Sequence, residues 1–169
     1  RTVKDEDARR TAEIVGLSAI KYGDLSNHAS KDYVFDVDRF TSFEGDTGPY
    51  ILYTIVRIKS ILNRFTQDGG SLEEGQIKAA VSESEKALML ELTRFNSVVE
   101  NAFEEKAPHK ICGYIYDLAN DFNHFYHETK ILSEEKKEQK ASWIHLLLLT
   151  RDVLETSIDL LGFSAPERM

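Results

Sequence analysis

Apolar residues recur at intervals of three and four along most of this chain, the spacing of a helix that buries one face. Residues 5–21 put Ala8, Ala12, Val15 and Ala19 on one side of a first, short helix. After Pro49, a residue suited to a helix's first turn, Ile51, Ile55, Ile58 and Leu62 form the next stripe, with Asp46 or Thr47 near the cap. Ser82 and Glu85 have capping-box spacing ahead of a helix over 87–94, and a shorter helix follows at 97–105. Pro108 opens the clearest helix, reaching residue 128, with Ile111, Ile115, Leu118, Phe122 and Phe125 inward. Ser133 begins the last one. Trp143, Leu147, Thr150, Leu154, Ile158 and Leu161 form its buried stripe, Gly162 stops it and Pro166 prevents its resumption.

Two stretches break this rhythm. Residues 22–48 are not helical in pattern: residues 32–38 alternate polar and apolar with period two, as an extended segment does, and 42–48 form a compact loop with two glycines. Residues 67–75 are a polar, glycine-containing linker. Six moderate helices with short connections predict an all-α, antiparallel helical bundle, preceded by a short helix and an extended or loop segment.

Composition adjusts this picture only slightly. Of 169 residues, 41% are hydrophobic and 30% charged, enough for a core and a soluble surface. No window holds 18 uninterrupted apolar residues and no charged-then-apolar leader opens the chain, so membrane and secretory readings are not favoured. A single cysteine, Cys112, allows neither an internal disulfide nor a cysteine zinc site and suits a reducing cytoplasm. The chain opens on Arg1, as a fragment of something longer would. Its net charge of −8 argues mildly against nucleic acid. Screening confines each patch to about 8 Å at physiological salt, however, so a local basic and aromatic surface can still bind RNA.

Candidate chemistry is sparse. Asp117, Asp121, His124 and Glu128 line one helical face and would hold a divalent metal only if a second helix supplied partners; a solvated polar face explains them equally well. No nucleophile stands at a diagnostic spacing from His124 or His127, and no phosphate-binding glycine loop occurs. Cys112, beside Ile111, is expected to be a buried structural thiol. No catalytic residue and no metal site is therefore expected. Tyr50, Tyr53, Arg57 and Arg64 form a stripe apart from the apolar one. Such residues stack unpaired bases and hold phosphate, or else serve as core edges with wet hydroxyls; periodicity alone favours the second.

Several strings, in order along nearly the whole chain, resemble the arginyl-tRNA synthetase family. They are Lys21-Tyr22-Gly23-Asp24-Leu25-Ser26, Asp32-Tyr33-Val34-Phe35-Asp36, and Ser42-Phe43-Glu44-Gly45-Asp46-Thr47-Gly48-Pro49-Tyr50 followed by Tyr53 and Arg57. Pro108-His109-Lys110, Tyr114-Ile115-Tyr116-Asp117-Leu118-Ala119, Phe125-Tyr126 and the closing Pro166-Glu167-Arg168-Met169 continue the match. The resemblance implies a class I enzyme that joins arginine to tRNA(Arg) using ATP. It further implies that residues 1–47 end the catalytic and stem region with an Ω-type loop, and that 48–169 form an α-helical anticodon-binding domain.

The family's nucleotide-binding motifs are missing from this chain. ATP with magnesium, and arginine, are thus expected to bind an absent catalytic domain, leaving this part inactive alone and without a cofactor. The expected partners are the anticodon arm of tRNA(Arg) and the catalytic domain of the same parent chain, with neither DNA nor a membrane. By the same resemblance, the tRNA-binding residues are Phe43, Glu44, Asp46, Tyr50, Tyr53, Arg57, Tyr126, Lys130 and Met169.

Three departures from the family's pattern stand out. Lys130 aligns with an aromatic of some relatives. Trp143 falls where an arginine is common, which puts local polar contacts in doubt. Gly48 falls where alanine is common and is expected to loosen the entry to Pro49. The rival reading is a helical protein-interaction module that binds no RNA.

Overall fold

The computed structural model describes residues 5–169. Seven α-helices account for most of them: α1 (Asp5–Leu25), α2 (Val37–Phe40), α3 (Gly48–Gln67), α4 (Glu83–Thr93), α5 (Phe95–Glu104), α6 (His109–Glu128) and α7 (Lys137–Leu160), with a 3-10 turn at Ile131–Ser133. No strand occurs among the described residues. Helix α3 packs against α1, α6 and α7, and α6 packs in addition against α4 and α5. Every position of the expected stripes of α3, α6 and α7 is buried, from Ile51 and Ile55 through Ile115 and Phe122 to Leu154 and Ile158.

The caps follow the sequence closely. Thr47 is the N-cap of α3, its hydroxyl oxygen accepting from the Tyr50 amide at 3.2 Å. Ser82 caps α4 by accepting from the Glu85 amide at 3.2 Å, while Glu85 reaches back to the amide of Val81 at 2.8 Å, one residue beyond the usual partner.

Four features depart from the expectations. Helix α1 runs four residues past Lys21, because Tyr22 turns fully into the core and Gly23 lets the Phe40 ring lie flat against its backbone. Of the expected α1 stripe, Ala19 is buried but Ala8 and Ala12 are exposed. The period-two segment does not become a strand. Asp36 instead caps the single turn α2 by accepting from the Arg39 amide at 3.0 Å, and Val34 and Phe35 stay exposed while Tyr33 and Phe35 rings gather around Phe40. The last helix starts at Lys137 rather than Ser133, so the charged run 134–140 is only partly helical.

Gly48 corrects the third expectation about departures: it tightens rather than loosens. A Cβ there would fall 2.6 Å from the carbonyl carbon of Ser18 and closer still to its oxygen, so α1 crosses α3 at a point only glycine allows. An alanine at this position would require α1 to sit further from α3. Trp143 is buried with its ring edge-on to Phe125 at 6.2 Å, and its indole nitrogen has no protein partner among the described residues.

Tyr22 ties three elements together. Its hydroxyl lies 2.5 Å from Asp46 Oδ1 in the loop before α3 and 2.9 Å from the carbonyl oxygen of Cys112 in α6. Burial, then the Asp46 charge, push its pKa far above the ordinary tyrosine value, so it remains a donor. Cys112 itself is buried, and that burial raises its thiol to about 12.

Two outcomes are expected. Gly48→Ala, which in an open helix would stabilise by up to about 1 kcal/mol, should here destabilise by about 1–3 kcal/mol through overpacking; urea unfolding decides the sign. Cys112 should react with a thiol reagent at pH 8 at least about a hundredfold more slowly in the folded chain than in denaturant.

Candidate nucleic-acid interface

The exposed side of α3 begins with Tyr53, which is 43% exposed. One turn on, the Arg57 guanidinium carbon stands 4.7 Å from the centre of the Tyr53 ring and 5.5 Å from that of Tyr126 on α6. The cation therefore bridges two aromatic faces. Tyr126 in turn stacks on buried Phe122, with ring centres 6.0 Å apart and planes 20° from parallel. Tyr126 is half-buried, and it keeps a face towards Arg57 rather than sinking into the core.

Beneath this trio lies an amide network that sequence reasoning missed. Arg57 Nη1 donates to Asn123 Oδ1 at 2.6 Å, while Asn123 Nδ2 donates to the Tyr50 hydroxyl at 2.9 Å and to Thr54 Oγ1 at 3.3 Å. Tyr50 donates onward to Asn120 Oδ1 at 2.7 Å. Burial raises the pKa of Tyr50, only partly opposed by the bond from Asn123 and the charge of Arg57, so it stays a donor. The signal for this network was available: Asn120 and Asn123, three apart, flank Phe122 on a helix otherwise divided between apolar and charged positions. Tyr50 is thus a half-buried linker that also meets the Tyr116 ring at 5.9 Å.

The stripe continues into a long open groove of about 1580 Å³. Val56, Ser60 and Arg64 of α3 form its floor, the first half of α1 one wall, and Phe43 and Met169 contribute apolar surface. Phe43 is 48% and Met169 42% exposed. The loop that carries Phe43 is closed by Thr47, whose hydroxyl donates to the Ser42 carbonyl at 2.6 Å, and turns at Gly45 with φ +82°. The chain end is held by Glu167, which pairs with Lys59 at 2.8 Å; Lys59 also meets Glu155 of α7 at 2.8 Å.

The structure thus brings Tyr50, Tyr53, Arg57 and Tyr126 into one cluster, and Phe43 and Met169 onto the groove that adjoins it along α3. Glu44 is exposed on the loop with its amide donating to Ser42 Oγ at 3.1 Å. Asp46 is engaged by Tyr22. Lys130 is exposed at the end of α6, where its carbonyl accepts from the Ser133 amide at 3.2 Å. No three metal-ligating side chains converge among the described residues; His124 and Glu128 stand 3.7 Å apart on an exposed face. No described helix is long and apolar enough to cross a membrane.

Known proteins extend this geometry. The chain is 62% identical to an arginine–tRNA ligase of Agathobacter rectalis and 58% identical to one of Alkaliphilus oremlandii, over 99% and 98% of its own length. It spans only about 28% of the first and 27% of the second. Among solved structures, the arginyl-tRNA synthetase of Thermus thermophilus superposes with a TM-score of 0.82 at 31% identity, covering 95% of this chain and 27% of that one. That of Plasmodium falciparum gives 0.81 at 30%, covering 95% and 28%. The DALR anticodon binding domain family matches residues 51–169, from the first apolar position of α3 to the chain end, and the chain belongs to that family.

Proposed function

We propose that this chain is the C-terminal, tRNA-binding part of an arginyl-tRNA synthetase. It holds the anticodon arm of tRNA(Arg) while the rest of the enzyme attaches arginine with ATP. The observation that carries this reading is the Tyr53–Arg57–Tyr126 cluster, a cation between two aromatic faces on the exposed side of α3. Unpaired bases stack on such rings, and the guanidinium holds a phosphate or stacks in its turn. Family membership and the likeness to whole arginyl-tRNA synthetases support RNA over a helical protein-interaction surface as the occupant.

Within this reading each element has a role. The loop 42–47 presents Phe43 and Glu44 to opened anticodon bases, and Tyr22 fixes that loop by holding Asp46. Arg64 and Met169 extend the contact along the groove, and Lys130 reaches a phosphate near Tyr126. Residues 1–47 join the domain to the catalytic part and 48–169 read the anticodon arm. The chain's contribution to aminoacylation is binding energy and orientation of a distant 3′ end. ATP with magnesium, and arginine, bind the portion of the enzyme that this chain does not span. The working compartment is the cytoplasm, with neither DNA nor a membrane as partner.

A filter-binding titration of tRNA(Arg) at several salt concentrations tests the reading. Tyr53→Ala and Tyr126→Ala should each weaken binding by about 1–3 kcal/mol with helical circular dichroism unchanged. Arg57→Ala should flatten the plot of log affinity against log salt by roughly one unit. Salt-independent or absent tRNA binding by the folded chain would sink it.

A further inference from the structure

Arg57 is a half-buried cation with an unusual set of companions. Two are aromatic faces and the third is the carbonyl oxygen of a neutral amide. Among the described residues it has no carboxylate within ion-pair distance, although 29 acidic side chains outnumber 21 basic ones in this chain. By contrast, Lys59 on the same helix meets two glutamates, and Arg94 is gripped by both oxygens of Glu91 at 2.7 and 2.9 Å. The acceptor that Arg57 uses, Asn123, has no freedom to turn. Its Nδ2 is committed to Tyr50 and Thr54, and the Tyr50 hydroxyl is committed to Asn120, so Oδ1 must face Arg57.

We propose that Asn123 is the positioning residue of this site: it holds the Arg57 guanidinium between Tyr53 and Tyr126 while leaving the positive charge uncompensated for a phosphate of the bound strand. An aspartate there would grip the arginine more strongly, since a carboxylate adds the attraction of an opposite charge to the hydrogen bond, but would cancel its charge. An aliphatic residue would leave the charge but free the side chain, whose regained rotamer freedom then opposes each contact. Only a neutral acceptor of fixed orientation gives both order and charge. Asn123 touches no substrate in this account and acts wholly through Arg57. The inference rests on the proposed RNA-binding role of Arg57.

Two variants of the 169-residue chain, titrated with a tRNA(Arg) transcript across a salt series, separate its parts. Asn123→Asp keeps the acceptor and should lower affinity about tenfold, one charge-assisted contact, while flattening the salt slope by roughly one unit. Asn123→Ala should lower affinity severalfold with the slope close to that of the unaltered chain. In an Arg57→Ala background neither substitution should change affinity or slope further. Wild-type affinity and slope in Asn123→Asp would overturn the proposal, as would an equal loss in the Arg57→Ala background, while the role of Arg57 survived. If Arg57→Ala alone left binding unchanged, the reading of Arg57 would fall and this inference with it.

Discussion

Everything in this molecule hangs on the seating of α3. Its apolar face, including Ile51, Leu52, Ile55, Ile58 and Leu62, is buried against three other helices. At about 1.5–3 kcal/mol for each such side chain, these contacts rival the whole net stability of an ordinary domain, about 5–15 kcal/mol. A helix locked on one side by that much burial cannot rotate. The opposite side is therefore a rigid rail, and Tyr53, Arg57, Ser60 and Arg64 stand along it at fixed heights. Rigidity would serve the strand-binding role proposed for this surface, since ordering done in folding need not be repeated on binding.

The rail is aligned to its neighbours by a small number of tight crossings. Gly48 brings α1 against the first turn of α3, and the buried Tyr22 hydroxyl fastens α1 to the loop 42–47 and to α6. At the far end Lys59 is caught between Glu155 and Glu167, which draws the chain terminus onto α3. Burial alone would discourage its charge, but the two carboxylates more than offset this and raise its pKa. The loop carrying Phe43 and the tail carrying Met169 are thus both fixed relative to the same helix, by one buried phenol at one end and one ion-pair triad at the other.

The helices were legible because their signal is local. Stripes at spacings of three and four, Thr47 and Ser82 at caps and Pro49 in a first turn all act within a few residues, so the pattern for α3, α6 and α7 carries straight into the fold. Where the outcome depends on distant partners, the pattern misled. The alternation at 32–38 had no sheet to join, so capping by Asp36 won and the chain made a helical turn. Gly48 looked like a point of slack only because Ser18, thirty residues earlier, is invisible to a local reading. The site shows the same split. Tyr53 and Arg57 were found on one helix, and Tyr126 through family resemblance, but Asn120 and Asn123 gain their meaning from Tyr50 and Arg57 some seventy residues away.

If the chain binds RNA as proposed, the same network bears on how an acidic protein would receive a polyanion. A net charge of −8 spread over the surface is felt weakly beyond about 8 Å at physiological salt, so what decides binding is the balance within a single contact. At Arg94 and Lys59 that balance is closed internally and nothing is left for a ligand. At Arg57 it is open, because an amide oxygen and two aromatic faces orient the cation without cancelling it. In the role proposed for this surface, surplus acid elsewhere would favour selectivity, because like charge disfavours phosphate away from that contact.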